Sequence, residues 1–134
     1  AAFEEMEILK KHGVSAEAYI WIHAQSENNT DMHVIAASKG AWVSFDSVYP
    51  TVIDQFVKFA LSMKNEKLLH RTLFSQDSGW YHVGEPKGGE FDSYNTIFEK
   101  FLPALKENGF TQEEIDQLFI KNPAKALAIK VRKS

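Results

Sequence analysis

The sequence predicts an α/β fold built on parallel strands, and three observations carry that expectation. Three short apolar runs, AYIWIH (18–23), AWVSFD (41–46) and LLHRTLFSQD (68–77), read as strands. Helical stripes separate them, and strands that alternate with helices pair in parallel through right-handed crossovers. Each run closes on an ionisable residue: His23, Asp46 and Asp77.

Taken in order, Phe3, Met6 and Leu9 set a helical spacing that Gly13 ends. The first strand follows at 18–23. Thr30 is placed to cap a second helix that carries Val34, Ile35 and Ala36 up to Gly40. The second strand occupies 41–46. Like the first, it is apolar nearly throughout, as strands are when both faces are covered. Pro50 and Thr51 open a helix with a stripe of Val52, Ile53, Phe56, Val57, Ala60 and Leu61. The third strand lies near 69–75. Four of the seven glycines (79, 84, 88, 89) then fall between Asp77 and Asp92, marking a long loop. Tyr94, Ile97, Phe98, Phe101, Leu102 and Leu105 form the next stripe, which Pro103 should kink or break near residue 100. Thr111 and Glu114 make a T-x-x-E capping box for a short helix, and Asn122-Pro123 offers an N-cap and N1 pair for the last one.

Composition narrows the function. The 134 residues are 44% hydrophobic and 25% charged, ordinary for a globular domain, with a net charge of −3 that argues against nucleic acid. No cysteine is present, so disulfides, thiolate metal sites and cysteine nucleophiles are excluded. No apolar stretch approaches the roughly 20 residues that span a bilayer. With no targeting segment legible, the cytoplasm is the default expectation.

Three parallel strands make a poor free-standing sheet, because both edges stay open and both faces need helices. A closed (β/α)8 barrel solves this, but takes about 250 residues. The chain is about half that, and it starts with Ala rather than Met. Residues 1–134 are therefore expected to form one partial-barrel domain. It would hold about three βα units plus terminal helices, the C-terminal part of a TIM-type barrel whose first part is absent.

Function in parallel α/β folds sits at the C-terminal ends of the strands. His23, Asp46 and Asp77 would all face that rim. Imidazole plus carboxylate is a donor set for zinc, manganese or similar divalent ions. Each residue also has a plainer role: a hydrogen-bonded histidine for His23, a turn cap for Asp46, a turn former for Asp77. Trp80 and Tyr81 can line a pocket or pin the glycine loop.

At these residues the sequence resembles the C-terminal part of the phosphotriesterase-like family of metal-dependent hydrolases, in the amidohydrolase superfamily. The likeness runs through I-x-H at Ile20 to His23, K-G-A before the strand ending FDSVY, LFSQD at Asp77, and FLPALKENGFTQEEIDQLFIKNPAKAL. It implies two divalent metals, zinc first among candidates, bridged by hydroxide. His23 would match the sixth-strand ligand and Asp77 the eighth-strand ligand and proton acceptor. Asp46 would match a seventh-strand acid beside the substrate. The first five strands and their ligands are absent. Ser26 and Ser47 occupy places where phosphotriesterases proper carry Asp and His; lactonases of the family often carry Arg-Tyr where Ser47-Val48 stands. The expected substrate is a small ester, lactone or phosphoester, with Ser26, Asp46, Ser47, Trp80 and Tyr81 as contacts. Expected partners are the missing part of the barrel or, as the alternative, a second copy paired through open sheet edges in a non-catalytic interaction module. The fragment alone is expected to be inactive.

Overall fold

A computed structural model describes residues 1–133. Helix α1 (Ala2–Lys11) leads to strand β1 (Ile20–Trp21), helix α2 (Thr30–Ser38), strand β2 (Trp42–Phe45), helix α3 (Ile53–Asn65) and strand β3 (Thr72–Phe74). The strands form one parallel sheet in the order β1-β2-β3. Ile20 pairs with Trp42 and Val43 with Thr72.

The strands are shorter than the apolar runs that announced them. Leu69–Arg71 is a 3-10 turn rather than strand, and β3 begins at Thr72. Past its end the pairing persists loosely: Ser75 N donates to Phe45 O at 3.0 Å. That extension carries the chain toward Asp77.

Alternation gives the sheet two faces. Trp21, Val43, Phe45 and Phe74 face the helices and join the main core with Phe56, Phe59, Ala60 and Phe101. Aromatic rings fill it. Phe45 stacks on Phe59 with centroids 4.7 Å apart, and Phe74 meets Phe101 edge-on at 4.9 Å. Ile20, Trp42 and Leu73 point the other way and form a second cluster with Ala126.

Helix ends follow local chemistry. Gly13, at φ 70, takes the left-handed turn after α1 that lets Val14 N reach back to Leu9 O. The cap of α2 is Asn29, one residue before the expected Thr30; its side chain accepts from Asp31 N. The capping box of Thr111 and Glu114 is formed in full at α5 (Gln112–Asp116).

The two helical prolines behave differently from simple breakers. Pro103 sits in α4 (Leu102–Glu107), directly after a π turn at Ile97–Phe101. Pro123 sits in α6 (Asn122–Ala126), directly after a π turn at Gln117–Lys121. A proline lacks the N–H for an i−4 bond, and the widened turn accommodates the loss without ending the helix. Asn122 is consequently no N-cap. It is fully buried in helical backbone, and its Nδ2 donates to Leu69 O at 2.6 Å and Thr72 O at 2.7 Å. This side chain ties the last helix to the start of β3.

Candidate metal centre

The site is built from three successive strand ends. His23 lies two residues past β1 with φ 58, a left-handed conformation unusual for a residue with a Cβ. Asp46 holds it there. One residue past β2 and 3% exposed, the Asp46 carboxylate accepts from His23 N through Oδ2 at 2.8 Å. Its Oδ1 accepts from His23 Nδ1 at 2.5 Å and from Gln25 Nε2 at 2.9 Å. A carboxylate this buried needs such partners, because an unpaired one would be too costly to desolvate. Asp46 therefore ties the ends of β1 and β2 together instead of capping the turn before Pro50.

The turn after His23 rests on a second histidine. His33 is buried in α2, and its Nε2 donates to Ala24 O at 2.7 Å. Burial among Trp21, Phe45 and Phe59 pushes its pKa down, which keeps the ring neutral.

Asp77 lies three residues past β3, also left-handed at φ 49. Its amide donates to Ser75 Oγ at 3.3 Å. Its backbone carbonyl accepts from Tyr49 Oη at 3.1 Å and Trp80 Nε1 at 2.8 Å. Among the described residues no hydrogen bond reaches the Asp77 carboxylate, in contrast to the heavily engaged Asp46.

His23, Asp46 and Asp77 each present a donor atom, and these atoms lie within 4.8 Å of one another. They line a cavity of about 410 Å³ together with Ile20, Leu73, Ser44 and Ser75. An imidazole and carboxylates converging at this spacing fit a divalent cation of the zinc or manganese kind. Since Asp46 occupies Nδ1, Nε2 is the ring nitrogen left free for a ligand.

The other expected contacts fall outside the cavity lining. Ser26 is exposed in the turn after His23, where its amide donates to His23 O. Ser47 takes a left-handed turn at φ 65. Trp80 pins the loop through Asp77 O, and Tyr81, 74% exposed, lies against Gly88. Sequence reasoning passed over Gln25 and Tyr49. Only the position of Gln25, two residues after His23, hinted at its part.

The chain matches the Phosphotriesterase family over residues 1–127. The phosphotriesterase homology protein of Escherichia coli (strain K12) is 25% identical over 126 residues, covering 90% of this chain and 42% of that protein. Its crystal structure, complexed with phosphate in the active site, superposes with a TM-score of 0.76 over 92% of this chain and 43% of that one. A phospho-furanose lactonase of Mycoplasmopsis agalactiae is 43% identical over 47 residues, 35% of this chain and 13% of that protein. A lactonase from Listeria monocytogenes superposes with a TM-score of 0.81 at 23% identity, over 97% of this chain and 42% of that one. The chain thus spans less than half the length of the curated relatives it matches. These neighbours are TIM-type barrels, and the three-stranded parallel sheet with its helices has the architecture of part of one. By a match that runs from the first residue through the end of the last helix, the chain belongs to the Phosphotriesterase family.

Proposed function

We propose that this chain supplies His23 and Asp77 as cation ligands in a hydrolase that cleaves an ester, lactone or phosphoester. Zinc is the first candidate metal. The observation that carries the reading is that His23 and Asp77, from two strand ends, each present a donor atom within 4.8 Å of the other, with Asp46 between them in sequence as the partner of His23. Family membership supports hydrolysis. Phosphate in the active site of the Escherichia coli relative, and the lactonase names of two others, support a phosphoryl or lactone centre as the substrate's reacting group.

When bound, a divalent cation lowers the pKa of a water it holds toward about 7 and polarises the bond under attack. His23 offers Nε2, because Asp46 holds Nδ1 and fixes the ring. Asp77 offers one carboxylate oxygen as ligand and the other as acceptor for the proton of the attacking water. Ile20 and Leu73 give the cavity part of an apolar lining. Asp46 serves this chemistry as the orienting partner of His23. Tyr81, exposed on the same loop as Asp77, is the aromatic we assign as a substrate contact.

Two ligands fall short of the three protein ligands that catalytic zinc normally takes. The chain alone is therefore expected to bind zinc weakly and to turn over little or no substrate. Equilibrium dialysis against zinc tests the ligand assignment: His23→Ala and Asp77→Ala should each abolish uptake. Uptake equal to wild type in both variants refutes it.

A second reading draws on the sheet edges. Among the described residues β1 and β3 each pair only with β2, so both outer edges are free to join another chain. Sedimentation in solution separates the readings, since self-association through edges requires a dimer or larger species.

A further inference from the structure

We infer that Gln25 is a positioning residue that locks the Asp46 carboxylate against the His23 imidazole. Its side chain grips two atoms of one residue. Nε2 donates to Asp46 Oδ1 at 2.9 Å, while Oε1 accepts from Asp46 N at 3.1 Å. The Gln amide carries a donor and an acceptor on one rigid plane, so a single side chain can hold both atoms. The grip removes two freedoms at once. The bond to Asp46 N fixes the backbone just past β2, and the bond to Oδ1 stops rotation of the carboxylate about its last torsion. His23 N, bonded to Oδ2, closes the arrangement from the other side.

The consequence is a division of labour between two acids. A carboxylate offers about four lone-pair sites. Three donors engage Asp46: His23 Nδ1 and Gln25 Nε2 on Oδ1, and His23 N on Oδ2. Asp77, whose carboxylate has no such bond among the described residues, stays open as a ligand. Gln25 thereby keeps Asp46 as the partner that holds His23 in its Nδ1–H form and withholds it from the cation. The part of this inference that concerns the cation rests on the hydrolase reading; the part that concerns the ring stands without it.

Replacement predicts distinct failures. Gln25→Leu removes both bonds. Gln25→Glu keeps the acceptor for Asp46 N, and so the local fold, but sets a second carboxylate against Oδ1. Nitrogen-15 NMR of the imidazoles, on the cation-free chain at one fixed pH, reads which ring nitrogen carries the proton. His33, buried and bonded to Ala24 O, is the internal control for folding. Wild type should show His23 in the Nδ1–H form alone, and both variants a mixture. Cobalt(II) titration followed by visible absorption should show both variants binding about 10- to 100-fold more weakly, the range for loss of an orienting partner. His23 remaining in the single Nδ1–H form in both variants overturns the role of Gln25, whatever cobalt does. Failure of the wild-type chain to bind cobalt defeats the hydrolase reading instead, and the ring measurement still decides Gln25.

Discussion

At the scale of single residues, the site depends on one acid arranging a base and another staying free. Asp46 is buried and held by three hydrogen bonds, whereas among the described residues none reaches the Asp77 carboxylate. Asp46→Asn preserves shape but removes the charge that His23 Nδ1 meets. Zinc affinity measured by competition with a chromophoric chelator should fall about 10- to 100-fold. An unchanged affinity would separate Asp46 from the site. A second residue-scale prediction concerns pH. The hydrogen bond from Arg71, then its charge, holds the Glu17 carboxyl below its ordinary value of 4.5. With the folded value depressed, the pair contributes stability above that ordinary value and loses it as pH falls through the folded one. Urea midpoints at about pH 7 and about pH 3 should therefore drop less for Glu17→Gln than for wild type. Equal drops would show that the pair adds nothing.

At the scale of elements, the scaffold under the site depends on contacts between distant segments. Asn122→Ala would leave Leu69 O and Thr72 O without their buried donor. The expected cost is about 1–3 kcal/mol in urea unfolding, more than a surface change would produce. The glycine loop is pinned in the same spirit. A Cβ at Gly79, where φ is 86, would collide with the Tyr94 hydroxyl, and no L side chain takes that backbone readily. Gly79→Ala should dislodge Tyr94 and raise the rate of proteolysis within residues 78–95, with the helical circular dichroism kept. Unaltered cleavage would mean that the ring does not hold the loop. These elements also show what a sequence can and cannot disclose. Periodicity exposes α1, α3 and the capping box of α5, because each is written in neighbouring residues. At Pro103 it anticipates an irregularity near residue 100 but not its form, a π turn, and it misreads Asn122, since a buried amide is settled by what packs against the helix. It overextends the third strand for the same reason: Leu69 and Arg71 are buried like strand residues but lie in a 3-10 turn.

At the scale of the whole molecule, parallel alternation explains why His23, Asp46 and Asp77 were legible as a group. Parallel strands bring all their C-terminal ends to one rim, so an ionisable residue closing each run must converge with the others. Gln25 and Tyr49 were not legible, because their partners lie 21 and 28 residues away and only the folded sheet brings them together. For Trp80 the sequence leaves two roles open, lining a pocket or pinning the glycine loop; the fold adds that its indole N–H is bonded to Asp77 O. On the proposed function, two strand ends of this molecule grip one cation. Anomalous diffraction from zinc-soaked crystals of the chain tests it most directly. One peak should appear, bonded to both His23 Nε2 and an Asp77 carboxylate oxygen, at about 2.0–2.2 Å from each. Zinc bound to only one of the two, or found only elsewhere on the chain, would contradict it.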